Sequence, residues 1–484
     1  MAGLHATSLT TIGTRRDGRP RVWLEGARLD RSGFVAAARY ELDVDKDSMS
    51  IVLRLDPTGG RMVSRRGKEG ALTPIVEIAS ARALSMFDGL ERLSVRFEDG
   101  CIRITPAASD VRRLERAIRL RNRLKDGQAI QVGSVSTGLG VLALAMHEGL
   151  ASAGIDSRLA FSVEIDQTYQ DRSMAANPVW DADTLAISAP LQEVAFDAAM
   201  LASLPQVDVL EAGIPCTAHS SAGRAKKALA IPEDDPSAGH LVAGFLAIVA
   251  ACNPAVLVVE NVPQYMRSAS FAILSNQLAE WGYDVRSTVL SGADFGCLEA
   301  RDRMALVATT PGVDVHLDTL APAIVPTPRL GDVLEVVDDA DPRWSTMAGL
   351  KAKEERDIAD GKWFRMQTFD AEDVSVSTIG RGYAKVRSTE PKVRHPSNPD
   401  LLRQLTPIEH ARIKGVPEAL VEGLSVTAAH EMLGQSVLAA PFKALGERIG
   451  GAVLAWVDGR EAPRGVVRMR AIRPVDELPL FAAA

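Results

Sequence analysis

Residues 129–140 read AIQVGSVSTGLG, and the fold is decided on this run. Ile130 to Val135 has the length and apolar content of a buried strand. Ser136-Thr137-Gly138-Leu139-Gly140 is a turn, and from Val141 the spacing becomes helical. Glycines where a strand turns into a helix let a ligand approach the backbone closely. The same texture returns three times, in LAFSVEID (159–166), VDVLEAGI (207–214) and AVLVVENV (255–262), with helical stretches between. Apolar strands alternating with helices predict a mostly parallel sheet covered on both faces, an α/β architecture.

The chain around this core has 484 residues, too many for one core. With 46% hydrophobic and 24% charged residues it is an ordinary globular composition. No uninterrupted apolar run approaches 20 residues, and the opening MAGLHATSLTTIGTRRDGRP lacks the apolar centre of a secretion signal, so the expected location is the cytoplasm or nucleoid. Cys101, Cys216, Cys252 and Cys297 stand far apart with no CxxC pair, against a disulfide framework or a zinc site. The net charge is −7, but residues 1–125 hold 24 Lys+Arg against 16 Asp+Glu and the remainder 31 against 46. A basic front on an acidic body is compatible with nucleic acid without proving contact.

Residues 1–106 read as a β-rich accessory domain. Arg21–Arg54 and Ile75–Ile104 look like tandem copies, each a strand, an Ala-Arg-x-Leu segment and two further strands joined by Asp-rich or Asp-Gly turns. The pattern is similar to the swapped-hairpin barrel of AbrB-type regulators; the other reading is an accessory domain that touches no DNA. Residues 107–127 form a connecting helix capped by Ser109 and ended by Gly127, with Val111, Leu114, Ile118 and Leu124 as its apolar stripe. Its arginines suit either phosphates or solvent. Residues 128–310 carry the strand–helix alternation, 311–404 a Pro- and Asp-rich insert, 405–457 renewed helix, and 458–484 a tail.

Chemistry is concentrated at the strand ends. Ser136, Thr137, Gly138, Leu139 and Gly140, followed by Glu164 and Ile165 at the end of the next strand, suit a nucleoside-containing cofactor whose ribose hydroxyls the acid accepts. The loop lacks the full GxGxxG of an NAD site. Pro215-Cys216 closes the next strand and leads into a polar loop holding Ser220, Gly223 and Arg224, a setting that favours thiolate. Cys101, Cys252 and Cys297 read as structural thiols. Glu260-Asn261 ends a further apolar strand, where a carboxylate must be exposed or paired. Arg301 and Arg303, if extended, point to one side.

In this order the motifs resemble the DNA cytosine-5 methyltransferase family, over residues 129–450. Pro215-Cys216, Glu260-Asn261-Val262 and Arg301/Arg303 match three of its motifs. Arg403-x-Leu405-Thr406-x-x-Glu409-x-x-Arg412-x-x-Gly415-x-Pro417 resembles its ninth and Gly434-Gln435-Ser436-Val437 its tenth. The chain departs from the family at Ser136 for Phe, Thr217 and Glu299 for Gln, and Gln435 for Asn. The acid expected on the third strand is Asp183, or Ala189 occupies its slot.

The resemblance implies a Rossmann-like S-adenosylmethionine-dependent methyltransferase domain with a target-recognition domain at 311–404. It implies S-adenosyl-L-methionine as cofactor, held by the glycine loop, Glu164, Ile165, Asp183, Pro215, Leu241, Gln435, Ser436 and Val437. Cys216 is the implied nucleophile and Glu260, Arg301 and Arg303 its catalytic partners. Double-stranded DNA is the implied substrate, with Ser220, Gly223, Arg224, Arg381, Lys385 and Arg387 as contacts. A tRNA cytosine-5 methyltransferase is the neighbouring alternative, which the length of the 311–404 insert disfavours. A DNA-binding regulator led by the basic repeats is the alternative outside enzymes. The tail segment Glu477-Leu478-Pro479-Leu480-Phe481 is similar to peptides that dock into the bacterial sliding clamp, and packing back on its own domain is the other reading.

Overall fold

The structure is a computed structural model that describes residues 4–67, 72–215, 231–320, 328–362 and 365–461. Cys216, Ser220, Gly223, Arg224 and the tail segment Glu477–Phe481 lie outside them. The chain divides into two compact units, Met1–Glu115 and Arg116–Ala484.

In the first unit the two copies interlock. Each is a strand, a short helix and a hairpin: Pro20–Glu25, Ala27–Arg31, Arg39–Asp45 and Ser50–Leu55, then Thr73–Ile78, Ala81–Leu84, Arg92–Glu98 and Cys101–Pro106. The first strands pair antiparallel, Val22 with Ile78 and Leu24 with Val76. The last strands also pair antiparallel, Arg54 with Cys101 and Ile51 with Ile104. Both registers are those of a twofold relation between copies. Alternating Val22, Leu24, Val76 and Ile78 with Ile51, Leu53, Ile102 and Ile104 supply one shared apolar core.

The second unit is built on a seven-stranded sheet. Its strands are β1 (Ile130–Val135), β2 (Ser157–Glu164), β3 (Leu185–Ser188), β4 (Val209–Gly213), β5 (Val256–Asn261), β6 (Asp284–Ser291) and β7 (Asp302–Thr309), in the order β3-β2-β1-β4-β5-β7-β6. The first five run parallel, and β7 inserts antiparallel between β5 and β6. Val256 to Val259 are all fully buried because both faces are covered, which is why these strands read as continuous apolar runs. On one face pack α1 (Val141–Ser152) and α2 (Pro407–Lys414), α3 (Val426–Gln435) and α4 (Ala439–Asp458), with Leu142, Ala411, Leu433 and Leu445 in one cluster with Val132 and Val258. The chain thus returns to the sheet after residue 405. Close approach of α1 and α4 needs glycine: a Cβ on Gly149 would stand 2.2 Å from the Lys443 carbonyl.

The connecting helix spans Ala108–Lys125, so Ser109 lies inside its first turn rather than at its cap. The expected stripe is also corrected. Ile118 is 54% exposed, while Leu120 and Arg116 are buried. Four arginines of this helix have protein partners. Arg116 donates to the carbonyls of Trp281 and Gly282, Arg119 and Arg123 pair with the buried Asp208, and Arg121 lies over Trp456. Among the described residues no helix is long and apolar enough to cross a membrane.

Within 328–405 a small sheet joins Gln367–Phe369, Pro391–Arg394 and Leu402–Arg403. Its core of Leu330, Val376, Ile379, Tyr383 and Val393 shares a cluster with Leu298, Leu405 and Ile413, so the insert is seated on the catalytic framework.

Candidate active site

The first turn is held open for a ligand by its own backbone. Ser136, Gly138 and Gly140 all take left-handed φ, 55°, 56° and 76°. Asn177 Nδ2 donates to the Leu139 and Gly140 carbonyls at 3.2 and 2.9 Å. Thr137 Oγ1 is bound to the hydroxyls of Ser134 (2.8 Å) and Ser162 (2.7 Å), and Leu139 is buried. Glu164 accepts the Gly138 N–H at 2.7 Å and the Asp166 N–H at 3.0 Å, which fixes its carboxylate beside the loop while leaving it lone pairs for further donors. Ile165 next to it is 67% exposed. Space above Gly138 is open: a Cβ there would meet nothing within 4 Å. A fixed acid, an exposed apolar side chain and open backbone together fit an adenosyl group.

The reactive corner lies one strand away. β4 ends at Gly213, which pairs with Glu260 of β5. A Cβ on Gly213 would be 3.5 Å from Glu260 Oε2 and 3.6 Å from the Ser136 carbonyl, so the carboxylate, the Ser136–Gly140 loop and the strand leading to Pro215-Cys216 converge. Ile214 is buried and its carbonyl accepts Asn261 Nδ2 at 3.1 Å; Pro215 is exposed. Arg303 Nε lies 2.8 Å from Glu260 Oε1, both largely shielded at 17% and 13% side-chain exposure. Burial raises Glu260 above the usual carboxylate range, against the pull of Arg303, Arg301 and Lys414. Cys252 and Cys297 are driven up to about 12 and about 11 by burial, as inert thiols are.

Several expected residues take other places. Arg301 does not share Arg303's position. It is 4% exposed and bound to Glu299 and the Gly434 carbonyl, because a buried carboxylate on its own segment claims it. Asp183 precedes β3, at the opposite end of the sheet from Glu164, and is ion-paired with Arg158 in solvent. The position beside Glu164 is Ser188, followed by Ala189, whose N–H donates to the Glu164 carbonyl. Leu241 begins the helix Leu241–Cys252 and is buried in the apolar cluster with Leu191 and Phe245. Val437 is likewise buried and Ser436 Oγ bonds back to Met432, whereas Gln435 Nε2 reaches Tyr169 Oη at 2.7 Å. The segment Ser377–Arg387 is pinned by buried Ile379 and Tyr383. Arg381 is paired with Glu431, and Arg387 folds over Gly382, while Lys385 and Arg387 stay exposed.

Asn177, Lys414 and Glu211 escaped the linear reading, whereas Asn261 stands in the Glu260-Asn261-Val262 motif. Asn177 and Asn261 hold carbonyls of the two loops, Lys414 is buried against Glu299, and Glu211 is a buried carboxyl within β4. Of the residues missed, only Glu211 left a signal, an acid inside an otherwise apolar strand.

The fold and this corner define a nucleoside-cofactor transferase. A model of the C-5 cytosine-specific DNA methylases matches residues 136–451, and the chain belongs to that family. It is 30% identical over 323 residues to the type II methyltransferase M.NlaX of Neisseria lactamica, covering 64% of this chain and 94% of that relative. With M1.ScrFI of Lactococcus lactis subsp. cremoris it shares 29% identity, over 51% of this chain and 63% of that relative. The solved structure of the Entamoeba histolytica methyltransferase EhMeth covers 69% of this chain with a TM-score of 0.52 at 17% identity, a likeness of fold. The protein is a DNA cytosine methyltransferase, and S-adenosylmethionine is its methyl donor.

Proposed function

We propose that the enzyme methylates C5 of a cytosine flipped out of duplex DNA, through a covalent bond between Cys216 and C6. The observation that carries this reading is the shielded Glu260–Arg303 pair beside Gly213, two residues before Pro215-Cys216. Cytosine C5 is too weak a nucleophile to attack a methyl sulfonium unaided. Addition of the Cys216 thiolate to C6, with a proton passing from Glu260 to N3, makes C5 an enamine carbon. Burial suits Glu260 to carry that proton. Arg303 neutralises the carboxylate left behind and is within reach of the base edge that Glu260 holds. S-adenosylmethionine supplies an electrophilic methyl group, which C5 takes up. Loss of the C5 proton to a base then expels the thiolate and restores the C5–C6 double bond.

The glycine loop, Glu164 and Ile165 bind the cofactor in this reading, and Gln435 braces the site through Tyr169. The base must leave the stack, at about a few kcal/mol, which contacts elsewhere on the duplex offset. Residues 311–404 are proposed to supply them, with Lys385 and Arg387 as exposed cations, and the polar loop of Ser220, Gly223 and Arg224 beside the nucleophile.

The test is a trap. A plasmid substituted with 5-fluorocytosine has no C5 proton to lose, so the wild-type chain with cofactor is expected to remain attached to it under denaturing conditions. Cys216→Ser is expected to leave it free. Equal behaviour of the two chains would remove the covalent mechanism.

A further inference from the structure

Behind the Glu260–Arg303 pair lies a second, deeper set of charges. Lys414 Nζ, at the end of α2, is 2.7 Å from Glu299 Oε2, and both side chains are fully buried. Arg301 Nη1 is 3.3 Å from Glu299 Oε1, and its Nη2 donates to the Gly434 carbonyl at 3.1 Å. Glu299 also accepts the Ile379 N–H at 3.0 Å, and Lys414 reaches the Ser436 carbonyl at 3.5 Å. Four stretches remote in sequence therefore meet on one carboxylate and one ammonium: the paired-arginine segment, the insert, α2 and the turn after α3.

A buried ion pair is a poor source of net stability, because desolvation offsets most of its attraction. Its presence here calls for another account, and the geometry gives one. We propose that Lys414 is a positioning residue for methyl transfer: with Glu299 and Arg301 it forms a buried clasp that holds Arg303 against Glu260 and ties that pair to the insert at Ile379. The proposal rests on reading Glu260 and Arg303 as the groups that meet the base.

Charges acting on the clasp come from every side. Lys414 faces Glu299, Arg301 and Arg303, with His410 on its own helix. Glu260 faces Arg303, Arg301, Lys414 and Glu211. Burial, then Arg301, pulls Lys414 down to about 7 against the pairing with Glu299. Burial opposes ionisation of Glu299 most, yet Lys414 and Arg301 together hold it below its usual range. Glu299 is thus ionised in the field that sets the proton affinity of Glu260, and Lys414 adds its charge there below about pH 7.

Opposite charges in one clasp give opposite signs when removed. Single-turnover transfer of labelled methyl to unmethylated plasmid, followed from pH 5.5 to 9, reads both rate and profile. Lys414→Gln removes a cation and is expected to move the limb set by Glu260 to higher pH and to slow transfer about tenfold or more. Glu299→Gln leaves Arg301 uncompensated and is expected to move the limb to lower pH. The double variant, whose two amides can bond to each other, is expected to return the limb and recover the rate to within about threefold. Affinity for S-adenosylhomocysteine, by calorimetry, is expected to stay within roughly twofold throughout. Limbs that do not move, or that move the same way in both single variants, overturn the clasp; should Lys414→Gln fail to fold, Glu299→Gln and the double variant still decide it. Glu260→Gln separates the two readings. Activity in that variant sinks the assignment of Glu260, whereas its loss together with unmoved limbs in the clasp variants sinks the clasp alone.

Discussion

Arg303 and Glu260 reach each other diagonally across neighbouring antiparallel strands. Glu260 stands opposite Ala305 in the β5–β7 register, and the Arg303 guanidinium spans back to its carboxylate at 2.8 Å. The sole antiparallel insertion in an otherwise parallel core is what brings an arginine to the carboxyl end of β5, where ligands of open α/β sheets bind.

That pairing predicts an asymmetric result for Arg303→Ala. Methyl incorporation into plasmid DNA is expected to fall by about 100-fold or more, since a cation at the developing charge is removed and a buried carboxylate is left without it. The S-adenosylhomocysteine affinity, measured by calorimetry, is expected to change little. Parallel loss of both would make Arg303 a residue of the fold.

Gly140 closes the Ser136–Gly140 loop at φ 76°, and a Cβ there would stand 2.5 Å from Asn177 Nδ2 and 2.8 Å from Ser173 Oγ. Gly140→Ala must displace the amide that holds the Leu139 and Gly140 carbonyls. S-adenosylhomocysteine affinity is expected to drop about tenfold or more, with a stability loss of ~1–3 kcal/mol in denaturant titration. Unchanged affinity would show that the loop does not shape the cofactor site.

Glu211 is 1% exposed in β4, and burial raises it to about 8, opposed by its bond to Ser134 and reinforced by Glu260. The folded chain therefore keeps a proton there that the unfolded chain releases in the ordinary carboxylate range. Between those two values the native state binds more protons, so stability falls as pH rises. Glu211→Gln removes the penalty and is expected to be more thermostable than wild type at pH 8–9 by ~2 kcal/mol or more, with the advantage vanishing near pH 4.5. Parallel melting curves for the two chains across pH 5–9 would contradict this.

Much of the molecule was legible in one dimension. Continuous apolar runs ending in Ser136–Gly140, Glu164, Pro215 and Glu260 specify parallel strands with polar groups at one end, because a doubly covered strand tolerates polarity only where it emerges. The two N-terminal copies were legible as repeats, since each must present the same apolar faces to the shared core. The connecting helix misled: its arginines look solvent-bound or phosphate-seeking, yet Arg116, Arg119 and Arg123 answer buried carbonyls and Asp208, partners supplied by distant strands.

What the sequence determined alone is the family, the order of strands and motifs, and the chemical kind of each reacting group, since these depend on residue type and local period. Tertiary structure decided which like residues do unlike work. Arg301 and Arg303 are two positions apart, but one is consumed by Glu299 and the other by Glu260. Asp183 is an acid near the right strand, at its wrong end. Lys414 reads as a surface lysine until Glu299, Arg301 and Ser436 close around it. Partnership of buried charges is set by which segments the fold packs together, and a linear pattern of residue types does not contain that information.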